Sequence, residues 1–293
     1  MFYRQKILLA LIELCGGKLS NTDLEKLLFL FCQIAKENYY DFFPYKYGAF
    51  SFISYYDKHK LMEKGLLKNV EHFEVATGVS YLDKLESKDR IALRSFVYRM
   101  ARFRGQELLR KSYLEYPQYA SKSGIAKTVL TQEEYYKVSS FWRFETQPGL
   151  FTIGYEGSSI DHYLCRLLMN NIIVLIDVRK NPFSRKHGFS QNGLQAYVEK
   201  VGIQYYHLPE LGVTTHLRKN LNGKQSYEKL FDYYTSIILP SQAPSLDKIK
   251  QLLLKYRRVA LTCFEAEYQM CHRHKIAEFF ELDKSLDIPI NHI

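Results

Sequence analysis

Three short runs constrain what this chain can fold into: "GLFTIGYEG" (149–157), "NIIVLIDVR" (171–179) and "RVALTCFE" (258–265). Each is an apolar segment that ends abruptly in glycine or in polar residues. Unbroken Ile/Val/Leu runs of this length mark strands buried on both faces, the condition of parallel sheets. A further strand is expected within "IQYYHLPELG". Helical patterns separate the runs: "SSIDHYLCRLLMNN", capped by Ser158 or Ser159, then "GLQAYVEKVG", "SYEKLFDYYTSIIL", "SLDKIKQLLLKYR" and "CHRHKIAEFFELDK". Strands alternating with helices predict an α/β domain with a mostly parallel sheet covered by helices.

Before residue 148 the period changes. Residues 4–15 place Ile7, Leu8, Leu11, Ile12 and Cys15 on one helical face, and Gly16–Gly17 ends that helix. Ser20 or Asn21 caps a second helix striped by Leu24, Leu27, Leu28 and Phe31. "YDFFPYKYGAFS" reads as a turn-rich aromatic loop. A third helix stops near Gly65 and leads into a strand. Helices followed by a short strand pair fit a winged helix-turn-helix. Residues 88–112 read as helical and basic, and 115–150 as a connector holding one more helix capped by Thr131. The expectation is a mainly helical, winged-helix-like domain over 1–147 and an α/β domain over 148–293. A length of 293 residues suits two domains.

The formal charge is +10, and both halves contribute: residues 1–147 are net +6 and residues 148–293 net +4. Aromatic residues make up 15%, with 24 Tyr and 19 Phe. A basic, tyrosine-rich chain points to a polyanion, hence DNA or RNA, with Arg94, Arg99, Arg102 and Arg104 as phosphate contacts. The alternative for that run is a solvated helix face. No apolar run reaches the roughly 18 residues of a membrane span. Five thinly spread cysteines argue for a reducing cytoplasm and against a disulfide framework.

In open α/β sheets, ligands bind beyond the carboxyl ends of the strands. The first strand delivers Gly154, Tyr155 and Glu156 there. The second delivers Asp177, Arg179, Ser184 and Arg185, the third His207, the fourth Cys263 and Glu265. The last helix begins near Cys271, His272 and Arg273. Glycines around Glu156 let a ligand approach the backbone. Arg179 and Arg185 suit a phosphate-bearing ligand, although Arg179 beside Asp177 also suits an internal ion pair. Glu156, Asp177 or His207 is the acid/base candidate. Cys271, at a helix start beside His272 and Arg273, has surroundings that lower a thiol's pKa, which makes it a candidate nucleophile. Zinc is the alternative: Cys263, Cys271 and either His272 or His274 give three of four ligands. The separation of the cysteines is not the short Cys-x-x-Cys hook, so no cofactor is expected.

These blocks resemble a known family. "TIGYEG", "DVRKNPFSR", "HGFS", "YHLPELG", "CFE" and "CHR" together are similar to the domain-of-unknown-function family 488, across about residues 151–280. The resemblance implies an α/β domain and nominates the strand-end residues above as signature positions. It implies no reaction. "ELGVTT" departs from the family's further glycines after Leu-Gly. In the first half, "LEKLLFLFCQIA", "YKYGAFSFISYYDKHKLMEKGLL" and "YLEYPQYASKS" resemble the Panacea antitoxin-like group, a helical, winged-helix-related module of toxin–antitoxin and phage-defence proteins. Ala49 stands where that group often has proline.

The functional expectation is a nucleic-acid-binding protein whose α/β domain acts on, or senses, a nucleotide, base or phosphate-bearing ligand. An enzyme of this kind would hydrolyse a phosphoester or N-glycosidic bond. The alternatives are a non-enzymatic sensor and an antitoxin-like module with a protein partner.

Overall fold

The computed structural model describes every residue except 36, 70, 71, 77, 143–145, 219–223, 284 and 287, together with the backbone alone at 69, 215, 218 and 224. The chain divides into two compact units, Met1–Arg143 and Phe144–Ile293. Among the described residues, no helix is long and apolar enough to cross a membrane.

The first unit is mainly helical. Helix α1 (Tyr3–Leu14) ends at Gly16 and Gly17, both at positive φ, and strand β1 (Lys18–Leu19) follows. Helix α2 (Asn21–Ile34) starts where Ser20 Oγ accepts from Asp23 N–H. The aromatic stretch read as a loop is a hairpin: β2 (Phe43–Tyr45) pairs antiparallel with β3 (Gly48–Phe50). Gly48 is required there. Its φ is +86°, and a Cβ would meet the Tyr113 ring at 2.5 Å. Helix α3 (Phe52–Glu63) gives way at Gly65 to β4 (Leu67–Asn69) and β5 (Phe73–Val75). These form a three-stranded antiparallel sheet in the order β1-β5-β4.

The basic stretch expected as one helix is two, α4 (Ser87–Met100) and α5 (Gly105–Glu115). Arg104 causes part of the break. Its guanidinium donates to the carbonyls of Met100 and Phe103, satisfying the end of α4. Helices α6 (Ala126–Val129) and α7 (Gln132–Ser139) follow, the latter capped by Thr131. An apolar cluster from α1, α2, α4 and the sheet forms the larger core of this unit, and a smaller cluster of Leu109, Tyr113, Ala126, Leu130 and Val138 joins α5, α6 and α7.

The second unit is α/β. Its elements run β6 (Gly149–Gly154), α8 (Ile160–Met169), β7 (Val174–Asp177), α9 (Gln191–Lys200), β8 (Gln204–His207), α10 (Lys224–Tyr233), α11 (Ala243–Tyr256), β9 (Arg258–Cys263), α12 (Arg273–Glu281) and β10 (Ile290–His292). Ser159, of the two serines expected, caps α8. All five strands are parallel, in the order β10-β6-β9-β7-β8. Every residue of β6, β7 and β9 is buried, which is why those three read as continuous apolar runs. The edge strand β10 was not expected. It has three residues, none fully buried, and so carries no pattern.

The strand order places the functional edge. The connection from β6 passes β9 to reach β7, and the connection from β9 passes β6 to reach β10. The chain therefore leaves neighbours β6 and β9 in opposite directions, which opens a crevice beyond their carboxyl ends. Gly154 and Cys263 are paired at that point.

Candidate functional site

Two features lie at this edge: a buried salt-bridge cluster that is closed on itself, and a cleft beside a thiol–imidazole group.

The closed cluster centres on Asp177 and Arg179. Asp177 is fully buried and Arg179 is 4% exposed. Residues i and i+2 at a strand end point to the same side. The guanidinium grips the carboxylate twice, Nε to Oδ1 at 2.8 Å and Nη2 to Oδ2 at 2.5 Å. Nη1 donates to Tyr155 Oη at 2.9 Å and to Phe189 O at 2.8 Å. Tyr205 Oη donates to Asp177 Oδ2 at 2.7 Å. Burial first, then the carboxylate, pushes the Tyr205 phenol well up, so it stays a donor. Nearly all of the Arg179 donors are therefore spent inside the protein. The expectation that Arg179 holds phosphate is corrected to the internal ion pair, and Asp177, tied by four donors, is not poised as an acid or base.

Other expected residues also serve the scaffold. Gly154 is needed for close packing against the chain itself, since a Cβ there would lie 1.8 Å from Glu265 O. Glu156 is exposed, and its Oε2 accepts from Ala266 N–H at 3.0 Å. His207 Nε2 lies 2.9 Å from Arg179 O, an acceptor, so it donates there and steadies the loop after β7. Arg273, 1% exposed, donates to Glu265 O at 2.6 Å and Ala266 O at 3.0 Å. It fixes a turn rather than facing a ligand. Its Nε has no hydrogen-bond partner among the described residues.

The cleft beside this cluster has a volume of about 490 Å³. The loop after β7 supplies Lys180, Asn181, Phe183, Ser184 and Arg185 to its wall, β9 supplies Cys263, and the residues just past β6 and β9 are Tyr155 and Phe264. Lys180 and Arg185 are exposed. So are the rings of Phe183, at 72%, and Phe264, at 42%. Ser184 Oγ accepts from Lys186 N–H, which shapes the turn, and Lys186 Nζ donates to Tyr155 O. Tyr155 is buried, stacked on Phe189 at 4.4 Å with the Arg179 guanidinium 5.1 Å over its ring. Among the expected ligand residues, Tyr155, Arg179, Ser184, Arg185 and Cys263 line this cleft, Arg179 with most of its donors already engaged inside the protein. Lys180, Asn181, Phe183 and Phe264 were missed. The signal for Phe183 was a large aromatic within a turn, "NPFSR", where no core is available to it.

Behind Cys263 lie Cys271 and His272, with Glu265 alongside. Cys263, Cys271 and His272 are 0%, 1% and 2% exposed. Cys263 Sγ lies 3.3 Å from Glu265 Oε2. His272 Nε2 lies 3.1 Å from Val178 O. His274 turns away, with Nδ1 2.5 Å from Cys271 O. A second cavity of about 200 Å³ is bordered by Glu265, Cys271 and His272. Burial pushes the Cys271 thiol well up, the neighbouring Cys263 adds to this, and Arg273 offsets it only partly. The expectation of a lowered thiol pKa is thus overturned: desolvation outweighs the helix start and the nearby cation.

In the first unit, Arg94, Arg99 and Arg102 are exposed, whereas Arg104 is half-buried and caps α4. Arg102 and Lys111 both lie 4.9 Å from the Phe103 ring centre. With Arg99 they border a groove of about 310 Å³.

No curated protein and no solved structure matches the chain. The family model described as Domain of unknown function DUF488 matches residues 159–280, from the cap of α8 to the last turn of α12, so the second unit is similar to that family.

Proposed function

We propose that the α/β unit binds a phosphate-bearing ligand with a planar ring, of the nucleotide or base class, in the cleft beyond β6 and β9. One observation carries this reading: the cleft places exposed cations, Lys180 and Arg185, beside two exposed rings, Phe183 and Phe264. Exposed phenylalanines lose solvent-facing apolar area when a flat base stacks on them, and a guanidinium forks onto phosphate oxygens. Asp177 and Glu156 already hold internal partners, which favours binding over hydrolysis by a side-chain carboxylate.

The first unit is assigned to nucleic acid in the same reading. Its order of helices, with the hairpin β4–β5 after α3, supports a winged-helix-like module, and exposed Arg94, Arg99 and Arg102 supply phosphate contacts. The likeness of its sequence to an antitoxin-like group keeps a protein partner as the competing reading.

Calorimetry of the full chain with AMP, adenosine and inorganic phosphate tests the cleft. Saturable AMP binding that exceeds both fragments is the expected result. Equal, weak heats for all three would refute it. Binding of labelled duplex DNA over a salt series tests the first unit. Each phosphate contact adds about −0.9 to the log–log slope, so removing Arg99 or Arg102 should flatten it by about one. Salt-independent or absent binding would remove nucleic acid as the partner.

A further inference from the structure

The group behind the cleft has the composition and geometry of a metal site. Cys263 Sγ, Cys271 Sγ and His272 Nδ1 all lie within 4.8 Å of one another. Nδ1 is 4.0 Å from the first sulfur and 3.8 Å from the second. A tetrahedral zinc ion, at about 2.3 Å from sulfur and about 2.0 Å from nitrogen, holds such atoms about 3.5–3.8 Å apart. The imidazole–sulfur separations are already close to that.

The imidazole is oriented for a cation. Val178 O only accepts, so His272 Nε2 carries the hydrogen and the lone pair lies on Nδ1, facing the sulfurs. Metal-bound histidines characteristically donate their other N–H to a backbone carbonyl or carboxylate, which fixes tautomer and ring angle. Tyr234 packs its ring 5.6 Å from the imidazole, and its Oη donates to Leu211 O, so the phenol is occupied elsewhere.

The charges also balance. Two thiolates and the Glu265 carboxylate carry three negative charges. A divalent ion cancels two, and the buried guanidinium of Arg273, held on the Glu265 and Ala266 carbonyls, offsets the third.

We propose that this chain holds a zinc-type divalent cation on Cys263 Sγ, Cys271 Sγ and His272 Nδ1, with water in the fourth position and the Glu265 carboxylate beside Cys263 as a supporting group outside the ligand set. The ion would sit at the wall between the two cavities, since Cys263 lines the larger one and Glu265, Cys271 and His272 line the smaller. The cysteines lie eight positions apart because a turn at Tyr268–Met270 brings the chain from the end of β9 back to the start of α12. A short Cys-x-x-Cys hook is not needed when strand end and helix start are already adjacent.

The test is uptake of Zn²⁺ and Co²⁺ by the reduced, chelator-stripped full chain. One tightly bound ion per chain is expected, with the thiolate-to-cobalt charge-transfer bands and visible bands of tetrahedral Co²⁺. C263S, C271S and H272A should abolish these bands, whereas C165S, altering a thiol on α8, should retain them. E265A should keep the bands and weaken affinity by about ten- to a hundredfold, as loss of a supporting carboxylate does. Wild-type stoichiometry and spectra stand even if a cysteine variant fails to fold. No uptake by the reduced wild type would overturn the proposal. So would cobalt bands that persist in folded C263S, or a Cys263–Cys271 disulfide that forms readily in a chain taking up no metal.

Discussion

Two buried polar clusters lie a few residues apart at the same sheet edge, and they are built on opposite principles. Around Asp177 and Arg179, donors and acceptors are matched: one carboxylate receives Arg179 and Tyr205, and the remaining guanidinium donors go to Tyr155 and Phe189. Around Cys263, Cys271 and His272, two sulfurs and an imidazole lone pair face one another. The first cluster is complete without a ligand and acts as a clamp on the loop after β7. The second gathers groups whose strongest shared chemistry is to hold a cation. Abundant charge at a strand end is therefore a poor guide to a site; the balance of donors against acceptors discriminates better.

Breaking the clamp should have the largest effect. Arg179→Ala leaves the Asp177 carboxylate buried with its main partner gone, and removal of one member of a buried pair costs about 3–5 kcal/mol. Chemical denaturation should show a loss of that order. A loss under about 1 kcal/mol would mean that Asp177 is protonated or hydrated, and the clamp reading would fail.

Arg185→Ala sharpens the comparison from the other side. Arg185 is exposed, so stability should stay within about 0.5 kcal/mol of wild type. Affinity for AMP should fall about tenfold or more, in line with the roughly 1.5–3 kcal/mol of a charged hydrogen bond. The same Arg-to-Ala change would thus unfold in one place and only unbind in the other.

A smaller effect is expected with pH in metal-free protein. Burial raises the folded-state pKa of Cys271 above its ordinary value near 9. For a group that ionises by losing a proton, the unfolded chain then releases it first, so the protonated thiol supports folding below about pH 9 and that support is lost as pH rises further. Thermal unfolding of wild type and C271S across this range should diverge less at high pH than at pH 8. Bound Zn²⁺ should suppress the trend, because the thiolate is then its ligand.

Much of this was legible in sequence, for identifiable reasons. β6, β7 and β9 are buried on both faces, so no charged residue interrupts their apolar runs and their ends located the functional edge. β10 was not legible because three partly exposed residues carry no period. The hairpin β2–β3 was hidden among aromatics whose role is packing, with Gly48 pressed on Tyr113. The break between α4 and α5 depends on Arg104 folding back onto carbonyls, which a count of basic residues does not reveal. Sequence brought Asp177, Arg179, Cys263, Cys271 and His272 to one edge. It could not assign which were satisfied by one another, because that depends on atoms such as Val178 O and Tyr155 Oη that come from other strands.

Anomalous scattering at the zinc edge, from crystals of the reduced full chain grown with Zn²⁺, tests the contrast between the two clusters. One strong peak bounded by Cys263 Sγ, Cys271 Sγ and His272 Nδ1 is expected, with the Asp177–Arg179 pair unchanged beside it. A map without density at that position, or with zinc on Asp177 instead, would contradict that expectation.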